Sequence, residues 1–247
     1  LDANSDWQLF GAELRKNRED KATKAPQDFV PIKTYYDFVI GPDKNAKEEV
    51  KTDPMTGMLE ILGSMPPDHQ MWVQILLMAT KSEWKKEGEE FIAKLYEPSE
   101  KFKTISPLER DVADATTRAI AKTGFDVGIR VLYLARKDKF NMLYGAGVGA
   151  LFTPFGSPHF NGFKAKATCV KYPWQNYGGV RLDKIKRRMF DAYRKRGYFY
   201  DPFVRVYSTF NSEEIATMWH LPGSVAATPA IDRIESKAAE PPANLPF

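Results

Sequence analysis

Cysteine is nearly missing from this chain: among 247 residues there is one, Cys169, which excludes an intramolecular disulfide and any cysteine-cluster metal site. That usage fits a reducing compartment. Histidine is almost as scarce, and His69, His159 and His220 stand far from one another and from Cys169, without the short ligand spacing of a zinc site. No metal is expected. No Gly-Lys dipeptide occurs, which removes a Walker A loop and its phosphate-binding lysine. GAGVGA at 145–150 does not follow directly on a strand, as a dinucleotide turn requires, and reads as a helix whose small residues admit another backbone. Ser157 in FGSPHF lacks the flanking glycines of a nucleophile elbow. The expectation is no catalytic residue and no cofactor. Long apolar runs are lacking too: MWVQILLMA from Met71 and YGAGVGALF from Tyr144 fall well short of the ~20 residues that span a bilayer. The sequence opens on Leu1 without a signal-peptide pattern, which leads us to expect the cytoplasmic, ordered part of a longer chain. Charge of one sign is not in excess, since 36 Lys and Arg against 32 Asp and Glu leave +4. A basic surface must therefore be local.

What is present is a globular composition, 43% hydrophobic and 13% aromatic. DWQLFGAEL and FVPIKTYYDF predict two strands of a hairpin joined by the charged stretch RKNREDKATKAPQD. In TDPMTGMLEILGSMPP, Asp53 is placed to cap a short helix with Pro54 at its first position. HQMWVQILLMA predicts a central strand covered on at least one face. SEWKKEGEEFIAKLYE puts Trp84, Gly88, Phe91 and Leu95 on one helical face, and SPLERDVADATTRAIAKTG opens with a capping box and stops at Gly124. FDVGIRVLYLA is a strand, NMLYGAGVGALF a helix, residues 153–179 an irregular aromatic section, and FVRVYS a short strand. These predict one α+β domain over residues 1–223, a mainly antiparallel sheet with helices packed on it, ferredoxin-like as the specific guess. An Ala- and Pro-rich linker-like tail follows over 224–247.

Two stretches stand out chemically. RLDKIKRRMFDAYRKRG, near 181–196, predicts a helix with Leu182, Ile185, Met189 and Tyr193 on one face and Lys184, Arg187, Arg188, Arg194 and Lys195 on the other. Such a face can neutralise several phosphates, and Tyr198, Phe199 and Tyr200 beside it offer stacking surfaces. FNSEEIATMWHLPG brings Glu213, Glu214, Trp219 and His220 together. It reads as a helix capped by Asn211 with Glu214 reaching back, stapled by Phe210 and Ile215, with Ile215, Met218 and Trp219 facing the core and His220 in the last turn.

TFNSEEIATMWHLPGSVAATPAIDRIESKAAEPPANLP also resembles a segment of large membrane-associated proteins of the type IV secretion and conjugation ATPase kind, especially from uncultured bacterial lineages. LFGAEL, PIKTYYDF, DPMTGMLEILGSM, WVQILL and YPWQN occur in matching order. The resemblance implies a region upstream of a hexameric DNA-pumping motor, on the cytoplasmic face of a membrane. The family's nucleotide-binding residues lie beyond the Pro-rich linker, so none is carried over. The leading expectation is a non-catalytic accessory domain serving assembly, anchoring or substrate guidance. Its expected partners are other parts or subunits of the assembly, with DNA and a second copy of the chain as further candidates. The alternatives are a stand-alone nucleic-acid-binding module that uses the basic helix, and a cryptic enzyme with a site near His220.

Overall fold

The computed structural model describes residues 6–20, 23–40, 53–80, 83–96, 105–170 and 172–221. The 224–247 tail lies outside the described residues. The sheet is organised around one long strand, β3 (Gly124–Arg136), buried at nearly every position. β1 (Trp7–Lys16) runs antiparallel along one side of it, from Trp7 opposite Arg136 to Leu14 opposite Ile129. β2 (His69–Ala79) runs antiparallel along the other side, and β4 (Phe163–Thr168) pairs with the outer edge of β1. The order is β2-β3-β1-β4 with every neighbouring pair antiparallel, an arrangement compatible with the ferredoxin-like guess. A register shift between Glu13 and Leu14 marks where β1 changes its pairing with β4, an irregularity that bends a strand. β5 (Ser208–Asn211) takes over on β3 from there, Ser208 opposite Val127 and Asn211 opposite Gly124.

Helices cover both faces. α1 (Thr56–Gly63), α4 (Met142–Ala150) and α6 (Ser212–Met218) join Phe152 and Phe155 over the face of Val127, Ile129, Val131 and Tyr133. Gly145 of α4 lets that helix down onto Phe10, since a Cβ there would sit 3.4 Å from the ring. The expected close packing of the small-residue run is confined to Gly145: a Cβ at Gly147 would make an ordinary contact with Met71 and one at Gly149 would meet open space. α2 (Trp84–Tyr96) and α3 (Pro107–Ile120) pack on each other around a second cluster of Phe29, Val30, Trp84 and Val112. α3 carries the expected capping box of Ser106 and Glu109.

α5 (Val180–Arg194) lies on the opposite face of the sheet, over Gly11 of β1 and Leu132 of β3. A Cβ at Gly11 would fall 2.5 Å from Met189 Sδ, and one at Gly128 would fall 2.4 Å from the Tyr198 ring. At Gly11 the obstacles are the flexible ends of Met189 and Leu132, whereas at Gly128 the obstacle is a buried ring. Gly128→Ala is expected to displace Tyr198, which is buried and donates its hydroxyl to the Val206 carbonyl at 3.1 Å, at a cost of about 1–3 kcal/mol. A urea midpoint that does not fall would contradict this.

Several expectations change. FVPIKTYYDF forms no strand and no hairpin with β1; apart from a π-helical turn at Tyr36–Ile40 it is irregular. Pro31 offers no amide to a ladder, and neighbouring amides are satisfied from elsewhere: Ile32 by Glu214 at 2.9 Å, Lys33 by the Phe155 carbonyl at 2.9 Å, Tyr35 by Thr217 at 3.1 Å. β2 is an edge strand, half-buried along its length, with Leu77 exposed. β4 lies inside the section read as irregular, and the strand expected at FVRVYS begins only at Ser208. α1 starts at Thr56 after Met55 as N-cap; Asp53 instead accepts from the Met55 amide at 2.8 Å. Trp219 is 62% exposed and does not face the core.

Candidate nucleic-acid interface

α5 is split by its own periodicity. Met189 and Ala192 are buried and Leu182, Ile185, Phe190 and Tyr193 pack against the core, while Lys184, Arg187, Arg188, Arg194 and Lys195 are all exposed. Arg188 donates to the Pro202 carbonyl at 2.6 Å, Arg194 lies 5.9 Å from the Phe190 ring, and Lys195 lies 5.5 Å from the Phe203 ring. Among the described residues none of the five enters an ion pair. Asp183 and Asp191 share the exposed side and reduce its net charge without reversing it.

The far side of α5 is anchored by buried charge. Arg130, fully buried on β3, sits opposite Glu13 of β1 and donates to it from Nε at 3.2 Å and Nη2 at 3.1 Å. Its Nη1 donates to Gln74 at 2.9 Å, and Gln74 donates to the Tyr193 carbonyl of α5 at 3.1 Å. Arg130 Nη2 also reaches the Gly197 carbonyl just past the helix, at 3.0 Å. Arg205 places Nε 2.9 Å from the other Glu13 oxygen, an ion pair without an aligned hydrogen bond. The guanidinium of Arg130 lies 5.2 Å from the Tyr198 ring, whose hydroxyl burial holds well above the usual range. Cys169 is buried beside Met189 at 3.7 Å, and burial pushes its thiol up to about 11, so it is inert packing.

The aromatic flank differs from the expectation. Tyr198 is buried and Phe199 half-buried; of that trio only Tyr200 is exposed, at 73%. An aromatic pair that periodicity did not single out lies ahead of the helix. Tyr172 and Trp174 stack on each other with ring centroids 4.7 Å apart and planes 2° from parallel, 61% and 67% exposed. The signal was the YPWQN stretch itself, apolar rings with no core pattern around them.

Glu213, Glu214 and His220 go three separate ways. Glu213 pairs with Lys122. Glu214 completes a capping box with Asn211, accepting from its amide at 2.8 Å, and pairs with the equally buried Lys16 at 2.8 Å. Lys16 also donates to the Asp28 carbonyl at 2.7 Å and lies 4.4 Å from the Phe210 ring. Burial pushes the Glu214 carboxyl above its usual range, against the pull of Lys16 and of the Asn211 and Ile32 amides. The Asp28 carboxyl is raised in the same way by burial, opposed by Lys16 and the Thr209 amide. His220 has Nδ1 3.0 Å from the Ala216 carbonyl and Nε2 3.1 Å from Asp53. Each ring nitrogen thus has an oxygen neighbour within hydrogen-bond distance. Sequence reasoning had no means of naming Asp53 as that partner, since the two lie far apart in the chain.

Among the described residues no group of three or more His, Cys, Asp or Glu is placed to hold a metal, and no helix is long and apolar enough to cross a membrane. A hollow of about 670 Å³ lies between residues 17–20, α2, α3 and residues 157–160. Its Arg18 is engaged by Gln27 at 2.9 Å and the His159 carbonyl at 2.6 Å. Compared with protein-family models, with curated proteins and with solved structures, the chain gives no match.

Proposed function

We propose that this chain is a non-catalytic accessory domain of a conjugation or type IV secretion-like DNA-translocating ATPase, and that the outer face of α5 is where it meets DNA. The observation that carries the DNA contact is a helix whose inner face is tied into the sheet while five cations stand exposed on its outer face without an ion pair among the described residues. A helix held this way presents its charges on a rigid support, and release of phosphate counterions supplies the driving force. Placement beside a motor, at the cytoplasmic face of a membrane and among other subunits or copies of the chain, rests on the resemblance alone. It fails if the parent reading frame stops just after Phe247 with no Walker A downstream. In that event a stand-alone nucleic-acid-binding module using the same helix is the reading that survives. A catalytic role for His220 is not proposed, because both its ring nitrogens are occupied.

Affinity for DNA measured over a salt series tests the α5 interface. Replacing Lys184, Arg187, Arg188, Arg194 and Lys195 by alanine is expected to weaken binding and flatten the dependence of log K on log salt, by about 0.7–0.9 for each phosphate that is no longer neutralised. Absence of binding at low salt, or an unchanged slope, would reject the interface.

A further inference from the structure

We propose that the Tyr172–Trp174 pair is a base-stacking platform that makes this surface a binder of single-stranded nucleic acid. The inference rests on the reading that α5 meets nucleic acid, and adds which form it takes. Two large flat rings, each more than 60% exposed, stack face to face at 4.7 Å, and no other ring among the described residues stacks on them. An exposed tryptophan face of this kind forgoes burial of large apolar area, a cost that a ligand with its own planar ring removes.

The two residues that follow the pair, Gln175 and Asn176, are tied to the first turns of the helix. Asn176 Oδ1 accepts from the Leu182 amide at 3.1 Å, and Arg181 donates to the Gln175 carbonyl at 3.4 Å. Arg181 lies on the same side of α5 as Lys184 and Arg188, by the 100° step of the helix, so Gln175, the residue next to Trp174, is held from the cationic side. A single strand presents both things this surface matches: phosphates for the lysines and arginines, and unstacked bases for the ring faces. A duplex offers only the phosphates, because its base faces are already stacked on one another. A bilayer surface fits less well. An amphipathic helix that lies in a membrane interface does so with its apolar face, and here Leu182, Ile185, Met189 and Tyr193 are turned into the core.

The test compares an oligothymidylate of about 20 nucleotides with a duplex of equal length, using the whole chain and Tyr172→Ala/Trp174→Ala. Both side chains are exposed, and an unchanged thermal transition will show that the variant is folded. The expected result is an affinity for the single strand at least tenfold lower in the variant, an affinity for the duplex within about twofold of wild type, and quenching of tryptophan fluorescence by the oligonucleotide that disappears with Trp174. Equal weakening for both nucleic acids, or none for either, overturns the platform. If the α5 alanine variant binds neither form while the aromatic variant binds both as wild type does, the α5 interface stands and only the platform falls. If wild type binds neither at low salt, both fall. Binding to phosphatidylserine vesicles that depends on Trp174, without a preference for the single strand, would assign the surface to lipid and overturn the proposal.

Discussion

Glu13→Ala will destabilise the protein by about 3–5 kcal/mol, the range found when one partner of a buried ion pair is removed. Glu13 is the only carboxylate among the described residues that the structure pairs with Arg130, and its second oxygen pairs with Arg205. Truncation deprives one fully buried guanidinium and one half-buried guanidinium of the carboxylate they share. Arg130 keeps hydrogen bonds to Gln74 and to the Gly197 carbonyl, so its shape is still specified while its charge is not. Because the same arginine tethers the chain just past α5, a secondary effect on that helix is expected. Protection of α5 amides from hydrogen exchange will fall by more than that of α3, which the network does not touch. Replacing both members together, Glu13→Leu with Arg130→Met, will cost less than the sum of the single changes, since apolar isosteres remove the fully buried charge and leave only the half-buried Arg205 without its carboxylate. A loss below about 1 kcal/mol for Glu13→Ala in urea denaturation would mean that water reaches the arginine and that the network is not structural.

Glu214→Ala is expected to cost a similar amount, about 3–5 kcal/mol. Read only as the third position of a capping box, this residue would be worth about 0.5–2 kcal/mol. The difference comes from Lys16, which is buried against Glu214 and is left without that partner. Glu214→Gln keeps an acceptor for the Asn211 and Ile32 amides and should lose less. The pH dependence has a definite sign. Burial raises the folded-state carboxyl above its ordinary value, so the folded protein binds the proton more tightly than the unfolded chain. The corresponding stability is present below the ordinary carboxylate range and is lost as pH rises through the raised value. Glutamine cannot ionise, and the stability gap between wild type and Glu214→Gln will therefore narrow as pH increases from about 4 upward. A gap that widens over that interval would show that the Lys16 pairing outweighs desolvation.

Local pattern was enough for the elements whose cause is local. The apolar stripe and capping box of α3, the split faces of α5 and the Asn211–Glu214 cap of α6 all follow from residues within a turn or two of each other, and each was legible. The α+β class and the antiparallel sheet were legible as well, from strands and helices that interleave without a βαβ rhythm. The second strand of the expected hairpin was misread for the opposite reason. Its buried apolar residues looked like one side of a ladder, yet the partners of Ile32 and Tyr35 are side chains about 180 positions away. HQMWVQILLMA was read as central because it is apolar, whereas pairing order, which hydrophobicity does not encode, places it at the edge.

The candidate surface divides along the same line. Which residues of α5 face outward is a property of helical periodicity, so the sequence by itself determined Lys184, Arg187, Arg188, Arg194 and Lys195 as a common exposed set. It also determined that FNSEEIATMWHLPG contains a capped helix. Only the tertiary structure decided that Glu214 neutralises Lys16 from β1, that His220 meets Asp53, and that Tyr198 fills the space over Gly128 while Tyr172 and Trp174 stay in the open. Burial, and with it the cost of leaving a charge unpaired or an aromatic face exposed, depends on which distant segments pack together. That is set by the strand order and the side of the sheet each helix takes, and no window of sequence contains it.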